Sequence, residues 1–423
     1  MMIIAAFFLL LLLGVPISLI IFIAATAGIA MYSSVGFIVT AQQMFNSLSN
    51  YVLLAIPLFI MSGNIAAGGD ISRRLVNVMR MVFSRIRGGS VIAGIAACAF
   101  FAAISGSSMA TIVAIGGILM PAMIDMGYPE DMAEGSITAA GSIGILIPPS
   151  CTMVMICVAM NTSVGKQFTA GFIPGILLAV VWSLYVYFKC KKLDIRDEKT
   201  YSREEKRQVW KESVWALMYP VIVLGSIYSG FATPTEAAAI AFVYVVVIEI
   251  FVYKTMKLRD LIDACRKALI SSGSILIIIG TAGVLNWLVT TMQIPATISA
   301  LITSNVTSKV TFLLLVGAIF FIAGCFMDLV ALIVILGPIM MPTLGIYGVD
   351  PIHFGIIAVL YTQMAYLTPP FGLNLYVTMG LQKRTLMQVS RSILPYLVIL
   401  ILFTLVISFV PPLSLFLPNL LMS

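Results

Sequence analysis

Long apolar stretches, interrupted by short polar segments, dominate the pattern along the chain. Residues 1–69 contain no Asp, Glu, Lys, Arg or His, and many later stretches reach the roughly 20 apolar residues that a helix needs to cross a bilayer. The pattern therefore predicts an all-α, polytopic membrane protein. The predicted uninterrupted spans lie near residues 2–30, 51–68, 171–189, 213–231, 233–253, 270–290 and 392–410.

Composition agrees with this prediction. Hydrophobic residues make up 61% of the 423 residues and charged residues only 10%, whereas a soluble domain has about 25% charged residues. The apolar run at residues 3–30 follows no basic segment and is about twice as long as a signal-peptide h-region, so no cleaved signal peptide is expected. The six cysteines form no CxxC pair and are expected to be small apolar helix residues.

Basic residues fall in four clusters that predict the topology. Cytoplasmic loops of membrane proteins are enriched in Lys and Arg, so we expect all four clusters to face the cytoplasm. This interpretation accounts for the net charge of +7 without a nucleic-acid partner. Of 24 Lys and Arg residues, only Lys166 and Lys309 lie outside residues 73–87, 189–211, 254–267 and 383–391.

A second pattern repeats after 221 residues. When residues 100–149 are aligned with residues 321–370 without a gap, thirteen positions are identical. Gly and Pro fix the shape of the backbone, so their matched spacing predicts equivalent breaks in two helical units. The identical pairs include Gly116/Gly337, Met120/Met341, Pro121/Pro342, Gly127/Gly348, Pro148/Pro369 and Pro149/Pro370.

The charges indicate that the two repeats have opposite orientations. Residues 73–87 are basic, but the equivalent residues 294–308 carry no charge. Likewise, residues 254–267 are basic, but the equivalent residues 33–46 carry none. Equivalent segments of opposite charge character belong on opposite faces of the membrane. We therefore expect inverted repeats, an arrangement by which transporters open to either side in turn.

This symmetry predicts the domain organisation. Repeat one covers residues 1–189 and repeat two residues 232–423, joined by a cytoplasmic loop at 190–212 and a linking span at 213–231. Within repeat one we expect an interfacial helix at 71–87, a helical hairpin at 88–122 and a broken helix at 130–162. Within repeat two we expect an outer interfacial stretch at 292–308, a hairpin at 309–343 and a broken helix at 352–382.

The two hairpins are too short to cross the bilayer. Each arm has about 16 residues, or roughly 24 Å at 1.5 Å per residue, which is less than the ~30 Å of the hydrocarbon core. Both hairpins are therefore expected to be re-entrant, with their turns inside the membrane. We expect the hairpins and broken helices to form a core and the remaining helices to form a scaffold.

The first candidate site combines a hairpin turn with a helix break. The sequence Ser105-Gly106-Ser107-Ser108 lies where the first hairpin turns, and residues 144–150 form the break. Backbone groups at such points lack helical partners and are tolerated in a membrane only when protein or a water-filled cavity satisfies them. Their oxygens suit a sodium ion, although small residues also serve close helix packing. The candidate sodium ligands are Ser105, Gly106, Ser107, Gly144, Pro149 and Ser150.

The second candidate sodium site lies at the equivalent places of repeat two. Asp328 aligns with Ser107, at the tip of the second hairpin. An isolated carboxylate in a bilayer costs about 2.5–3.5 kcal/mol, so Asp328 is interpreted as a cation ligand; the alternative is a protonated or hydrogen-bonded Asp. The candidate ligands are Gly324, Asp328, Thr368, Gly372 and Asn374.

A central substrate site is expected between these two ion sites. The helices that begin after the turn and after the break present unpaired backbone N–H groups, which suit an anionic substrate. The candidate substrate-binding residues are Ser107, Ser108, Thr152 and Asn374.

The remaining acidic and histidine side chains are expected to have structural roles. Residues 233–236 (TPTE) have the pattern of a capping box with Pro at the first helical position, which we favour over a functional role for Glu236. Glu249 lies near a helix end and is expected to reach Lys254 or the interface. His353 is expected in a loop, and the residues expected to face the cytoplasm are Asp125, Glu130, Asp131 and Glu134.

Three segments together carry a family resemblance. Residues 100–108 (FFAAISGSS), 144–150 (GILIPPS) and 233–237 (TPTEA) resemble the large membrane (permease) subunit of tripartite ATP-independent periplasmic (TRAP) transporters. The resemblance implies sodium-coupled import of a small organic acid, such as sialic acid or a C4-dicarboxylate, by an elevator-type movement of the core against the scaffold. Sodium ions would be the coupling ions, with no other cofactor.

The resemblance also implies partners and a location. Members of this family work with a small four-helix membrane subunit and a soluble periplasmic substrate-binding protein. They are multi-pass proteins of the bacterial inner membrane, and they are not enzymes.

The residues themselves leave two other functions open. A passive channel for small anions is one alternative, but paired breaks in inverted repeats favour a carrier. An intramembrane enzyme is the other, but no pair of catalytic acids, nucleophile–base pair or metal-ligand cluster stands out in the sequence.

Overall fold

The computed structural model describes residues 6–7, 9–11, 13–32, 35–197, 201–327, 329–369 and 372–422. These residues form helices joined by short loops, and no β-strand occurs among them. The helices of the first half are α1 (Ile17–Tyr32), α2 (Ile38–Leu48), α3 (Ala55–Gly68), α4 (Ile71–Phe83), α5 (Gly89–Ser105), α6 (Ser108–Thr111), α7 (Gly117–Asp125), α8 (Glu130–Gly141), α9 (Cys151–Met160) and α10 (Val164–Leu193).

The second half continues in the same style. Its helices are α11 (Arg203–Tyr228), α12 (Pro234–Val247), α13 (Leu258–Thr291), α14 (Ile294–Asn305), α15 (Lys309–Gly324), α16 (Leu329–Ile346), α17 (Pro351–Tyr366), α18 (Leu373–Gln382), α19 (Leu386–Phe409) and α20 (Pro412–Leu421). Short 3-10 turns lie at Tyr51–Leu54 and Ser142–Ile145, and π-helical turns at Ile112–Gly116 and Ile248–Val252.

Seven helical segments among the described residues are long and apolar enough to cross a membrane. This confirms the prediction of an α-helical, multi-pass membrane protein. The seven segments are Tyr51–Gly68, Ser108–Asp125, Val164–Leu193, Pro234–Val252, Leu258–Thr291, Leu329–Ile346 and Leu386–Phe409.

Capping boxes with Ser or Thr as the capping residue set the starts of three of the described helices, α11, α12 and α19. The box at residues 233–236 is confirmed, because the Thr233 N–H donates to Glu236 at 2.8 Å and the Glu236 N–H donates to Thr233 Oγ1 at 3.3 Å. A second box, between Ser202 and Glu205, starts α11 at Arg203. The structure therefore corrects the predicted loop at 190–212, whose second half is helical because the Ser-x-x-Glu signature of a helix start outweighs the local charge.

His353 is buried within α17, so the expectation that it lies in a loop is wrong. Its Nδ1 atom lies 2.6 Å from the hydroxyl oxygen of Ser414, and its Nε2 atom lies 3.3 Å from the carbonyl oxygen of Ser408. Ser414 belongs to α20, a helix that the sequence pattern does not predict. The histidine therefore attaches this last helix to α17.

Glu249 has different partners from the expected Lys254. Its buried carboxylate accepts hydrogen bonds from the backbone N–H groups of Asp70 and Ile71, each at 2.9 Å, and from the Thr255 hydroxyl at 2.7 Å. These two N–H groups open α4 and have no helical acceptor, so Glu249 caps a helix that is distant in sequence. The contact fixes α4 to the end of α12.

The 14-residue helix α3 and the 34-residue helix α13 pack beside the hairpins. α12 packs on α3, and α1 packs on α13; these two pairs are equivalent under the 221-residue offset. α2 also packs closely on α13, because a Cβ atom on Gly283 would overlap the Ser47 hydroxyl and one on Gly280 would lie 3.1 Å from Met44 Cγ. On their other sides α3 contacts α5, and α13 contacts α16.

Candidate functional site

The first hairpin turns at Gly106. Helix α5 ends at Ser105, Gly106 adopts the left-handed conformation with φ of 57°, and Ser107 caps the following helix by accepting from the Ala110 N–H at 3.4 Å. A left-handed residue is usually glycine, since a side chain is strained there. A Cβ atom on Gly106 would also lie 2.9 Å from the carbonyl oxygen of Pro149. The turn is thus both tight and pressed against the first break.

Oxygen atoms converge at this turn. The hydroxyls of Ser105 and Thr111 lie 2.9 Å apart. The carbonyl oxygen of Ser107 accepts from the Thr111 hydroxyl at 2.8 Å and from the Ser105 hydroxyl at 3.2 Å. Thr111 is therefore part of the cluster, although the sequence analysis does not include it. Its position four residues after Ser107, one helical turn away on the same face, is a usable sequence signal.

The first break packs directly on the turn. α8 passes through a 3-10 turn at Ser142–Ile145, and α9 starts only at Cys151, where Ser150 is the capping residue. The Ser150 hydroxyl donates to the carbonyl oxygen of Ile145 at 2.9 Å. A Cβ atom on Gly144 would lie 2.8 Å from the carbonyl oxygen of Ser107. The structure therefore brings together the predicted set of Ser105, Gly106, Ser107, Gly144, Pro149 and Ser150.

The second hairpin approaches the second break in a similar way. α15 ends at Gly324, where a Cβ atom would lie 2.9 Å from Ala365 Cβ near the end of α17. Thr368 donates its hydroxyl proton to the Met364 carbonyl at 2.6 Å. A Cβ atom on Gly372 would lie 2.6 Å from the Tyr366 carbonyl oxygen. Two predicted ligands remain, Asp328 and Asn374. Asp328 lies outside the described residues, as do Pro370 and Phe371 of the second break.

Asn374 connects the two sites. It is fully buried near the start of α18, and its amide oxygen accepts from the Ser108 hydroxyl at 2.8 Å. Its amide nitrogen is buried and makes no hydrogen bond within the described part of the chain. A further crossing contact joins Gln363 to the carbonyl oxygen of Ser142 at 2.8 Å, and these two residues are 221 positions apart. Equivalent positions of the two halves therefore meet next to the site.

A cavity of about 440 Å³ adjoins the first turn. Ser107, Ser108 and Thr152, three of the predicted substrate-binding residues, line it. Asn374 is not among the described residues that line the cavity. It accepts a hydrogen bond from Ser108, which does line the cavity. The opposite wall comes from α3 and α13, and its polar residues are Asn64, Ser271 and Ser274.

The polar residues of this opposite wall, Asn64, Ser271 and Ser274, are not among the site residues predicted from the sequence. A signal was present: Asn64 is a lone amide in an apolar span, and residues 271–274 (SSGS) interrupt the apolar run of α13. Polar residues inside membrane helices often mark pathways or helix contacts. Their meeting across the cavity depends on the packing of two helices about 200 residues apart in sequence, which no local pattern reports.

The cavity is electrostatically complementary to an anion, although its described lining carries no formal charge. The helices that start at Ser108 and at Cys151 both begin at this cavity, with Ser107 and Ser150 as their caps. Helix N termini carry partial positive charge and unpaired N–H donors, so the arrangement is complementary to a carboxylate.

Comparison with known proteins identifies the family of this chain. The model of the family described as "Tripartite ATP-independent periplasmic transporter, DctM component" matches residues 4–413. The chain belongs to this family. It is 41% identical to the C4-dicarboxylate TRAP transporter large permease protein DctM of Pseudomonas aeruginosa over 383 residues, which cover 90% of this chain and 89% of the relative.

Two further similarities extend the comparison. The chain is 38% identical over 416 residues to the isethionate TRAP transporter permease protein DctMQ of Oleidesulfovibrio alaskensis, covering 97% of this chain and 65% of that longer relative. Among solved structures, the Neisseria gonorrhoeae MtrF efflux pump has a TM-score of 0.62 at 12% identity, covering 89% of this chain and 85% of that one. The latter similarity shows a shared fold alone. The family resemblance in the sequence is thereby confirmed, as is its prediction of a transporter permease and not an enzyme.

In this DctM-component chain, the helix that leads to the first break is anchored by an ion-pair cluster at its start. The Arg384 guanidinium contacts Glu130, Asp131 at 3.2 Å and Glu134 at 3.4 Å. Glu134 is only 1% exposed, and the Ser392 hydroxyl donates to it at 3.4 Å. The cluster therefore fixes the start of α8 to the loop before α19.

We predict that Arg384→Met lowers stability by about 3 kcal/mol, because a buried carboxylate that loses its cation is strongly destabilised. Thermal unfolding of the purified chain in detergent measures the effect. Arg391→Met, on an exposed position of the following helix, is the matched control and is expected to melt within a degree or two of the unaltered chain. Equal melting of both variants would show that the cluster contributes nothing to stability.

Proposed function

We propose that this chain is the permease of a sodium-coupled importer of small organic acids in the bacterial inner membrane. It works with a small membrane subunit and a periplasmic substrate-binding protein. The observation that carries the proposal is the cavity of about 440 Å³, bounded by a re-entrant turn, a broken helix and the N termini of two helices. Ligand pockets in proteins have volumes of about 300–1,000 Å³, so the cavity fits one small acid.

The sodium sites are proposed at the two places where turn and break meet. At the first, the donors are carbonyl oxygens of Ser107 and Pro149 and the hydroxyls of Ser105, Thr111 and Ser150. Freed carbonyls and half-helix ends bind sodium in transporters with discontinuous helices. At the second, the donors are Thr368, backbone carbonyls of the second break and, from the sequence alignment, Asp328. Each sodium ion that enters down the membrane potential contributes about 2.3 kcal/mol per 100 mV.

Ser108 and Asn374 supply a physical connection between ion and substrate sites. Ser108 lines the cavity, and its hydroxyl is held by Asn374 next to the second break. An ion that orders the second break therefore also orders Asn374 and Ser108. Coupling requires this type of link, in which sodium favours the substrate-binding form and the substrate favours the sodium-binding form.

The transport movement is proposed to follow from inverted repeats, with the hairpins and breaks as an elevator core and α3 and α13 as part of the scaffold. Support comes from the pairs α3–α12 and α13–α1, which are equivalent under the 221-residue offset, and from the contact between Ser142 and Gln363. Symmetry-equivalent residues can contact each other close to a two-fold axis, so this contact supports the proposed symmetry. The cavity lies between proposed core and scaffold, where a sliding movement can expose it to either side.

The substrate class and the partners rest on the named relatives. The relatives described above are named for a C4-dicarboxylate and for isethionate, which are both small organic anions. The match covers 65% of the relative named DctMQ, so about a third of that polypeptide lies outside the matched region, which leaves room for a second component. We propose that the small membrane subunit is the equivalent of that component.

Reconstitution tests this function. The full chain, the small subunit and the binding protein are placed in proteoliposomes, and uptake of radiolabelled succinate, isethionate and N-acetylneuraminate is measured with an inward sodium gradient or with potassium in its place. We expect at least one acid to accumulate above its external concentration, at least tenfold more with sodium. Equilibration without accumulation would indicate a channel, and uptake that ignores sodium would contradict the coupling.

A further inference from the structure

A second, smaller polar pocket lies further along α13, the helix that also lines the central cavity. Its volume is about 190 Å³, and its polar lining consists of Asn46, Ser47, Asn50 and Asn286. The described residues that line it are uncharged, and the central cavity has the same chemistry. Amides and hydroxyls in an apolar membrane protein are costly unless they serve packing or a pathway.

The two pockets follow one another along the same helices. On α13 the central cavity is lined by Ser271 and Ser274, and the second pocket by Asn286. Asn286 lies twelve positions after Ser274, or about 18 Å along the helix axis at 1.5 Å per residue, and the apolar linings of the two pockets adjoin at Ile278 and Ile279. Met155 of α9 lines both pockets, so its side chain separates them. The basic cluster at 254–267 begins α13, so the second pocket lies on the outer side.

The walls of the two pockets are related by the internal repeat. Asn50 in the second pocket is equivalent, at an offset of 221, to Ser271 in the central cavity. Asn64 in the central cavity is equivalent to Leu285, the neighbour of Asn286. The repeat therefore relates one polar residue of each pocket, Asn50 and Ser271, whereas the counterpart of Asn64 is apolar.

The second pocket also touches the proposed core. The Asn286 amide donates to the carbonyl oxygen of Val334 in α16 at 3.1 Å. Pro338 lies four residues after Val334 and has no N–H, so this carbonyl lacks its helical donor. The Asn286 amide and the Val334 carbonyl are both polar. If the proposed core moves away, each can therefore form a hydrogen bond with another partner.

We propose that this outer pocket is a second binding station for the carboxylate group of the substrate, because its volume is below the range of about 300–1,000 Å³ for pockets that enclose a whole ligand. Asn46, Asn50 and Asn286 contact the substrate before the central cavity receives it, when the core faces outward. The proposal rests on the proposed import function, and Met155 is the partition that the substrate passes.

A substitution that places a negative charge at Asn50 tests the second binding station. Asn50 accepts the Val52 N–H at 3.0 Å as a helix cap, and both Asp and Ser can keep this role. In the three-component proteoliposomes, Asn50→Asp is expected to raise the KM for the transported acid at least tenfold by repulsion of its carboxylate. Asn305→Asp, the matched control, makes the same change of amide to carboxylate at an exposed residue of α14 that is not among the described lining of either pocket, and it is expected to stay within threefold of the unaltered chain. Equal KM values for the two variants would overturn the station.

A labelling experiment separates the station from docking of the binding protein. In a chain whose six native cysteines are replaced by serine, Asn46→Cys is modified by a membrane-impermeant thiol reagent without the binding protein. The acid selected by the uptake panel, together with sodium, is expected to slow modification at least threefold. Ser49→Cys on the same segment should react at an unchanged rate. Unprotected Asn46→Cys overturns the station, whereas failure of the unaltered complex to take up any panel acid overturns the proposed function instead.

Discussion

Replacing Gly144 with alanine is expected to lower sodium-dependent uptake roughly a hundredfold, since misplacing reacting or binding groups by about 1 Å has effects of that size. The added Cβ atom would lie 2.8 Å from the Ser107 carbonyl oxygen and 3.0 Å from the Ser108 nitrogen. Both contacts are with backbone, which cannot rotate away as a side chain can. The hairpin tip must therefore move off the break, and the oxygen atoms of the first sodium site separate.

The measurement is the initial rate of uptake as a function of sodium concentration in the three-component proteoliposomes. We expect the sodium concentration for half-maximal uptake to rise as well, because the substitution acts on the ion ligands. Gly117→Ala is the matched control within the same hairpin, because among the described residues no heavy atom lies within 4 Å of its added Cβ. Unchanged sodium dependence in Gly144→Ala would exclude this turn and break from the ion site.

Replacing Glu249 with alanine is expected to destabilise the fold by at least about 3 kcal/mol, because each buried donor left unpaired costs about 1–3 kcal/mol. Three donors lose their acceptor: the N–H groups of Asp70 and Ile71 and the hydroxyl of Thr255. The first turn of α4 is then uncapped within the protein. Because α4 packs on α5 and α11, we expect the disturbance to reach the first hairpin.

Thermal unfolding and the monodisperse fraction after detergent extraction measure this effect. Glu249→Gln retains one acceptor oxygen of similar shape and is expected to melt between the unaltered chain and the alanine variant. Glu236→Ala removes the exposed carboxylate of a local capping box on the same helix and should change the melting temperature only slightly. If the alanine variants at 249 and 236 melt alike, the long-range cap does not contribute as proposed.

The hairpin ends and helix starts could be predicted from sequence because local chemistry controls them. Gly106 must supply a left-handed turn, and Ser107, Ser150 and Thr233 are all capping residues at the starts of helices. These features need only a few neighbouring residues, so the predicted turn and break lie where the structure has them. The Ser-x-x-Glu pattern at residues 202–205 also indicates the start of α11, but it lies within the highly charged segment that was predicted to be a loop.

Contacts between distant segments could not be predicted in this way. His353, expected in a loop, is buried in α17 against Ser414, and Glu249 binds backbone groups at Asp70 and Ile71 instead of Lys254. Asn64, Ser271 and Ser274 carry no motif, yet they form one wall of the central cavity. Each of these residues acquires its role from a helix that is far away in sequence.

By itself, the sequence determined that this is a membrane protein and where its first hairpin turn and first helix break lie, because hydrophobic length, Gly, Pro and capping side chains act locally. Only the tertiary structure decided which polar groups share a cavity. Ser107 and Thr152 meet Asn64 and Ser271 there because α3 and α13 pack beside the hairpins. Packing of apolar helix faces is non-directional, so the pairing of their few polar residues follows from the complete arrangement and from no single segment.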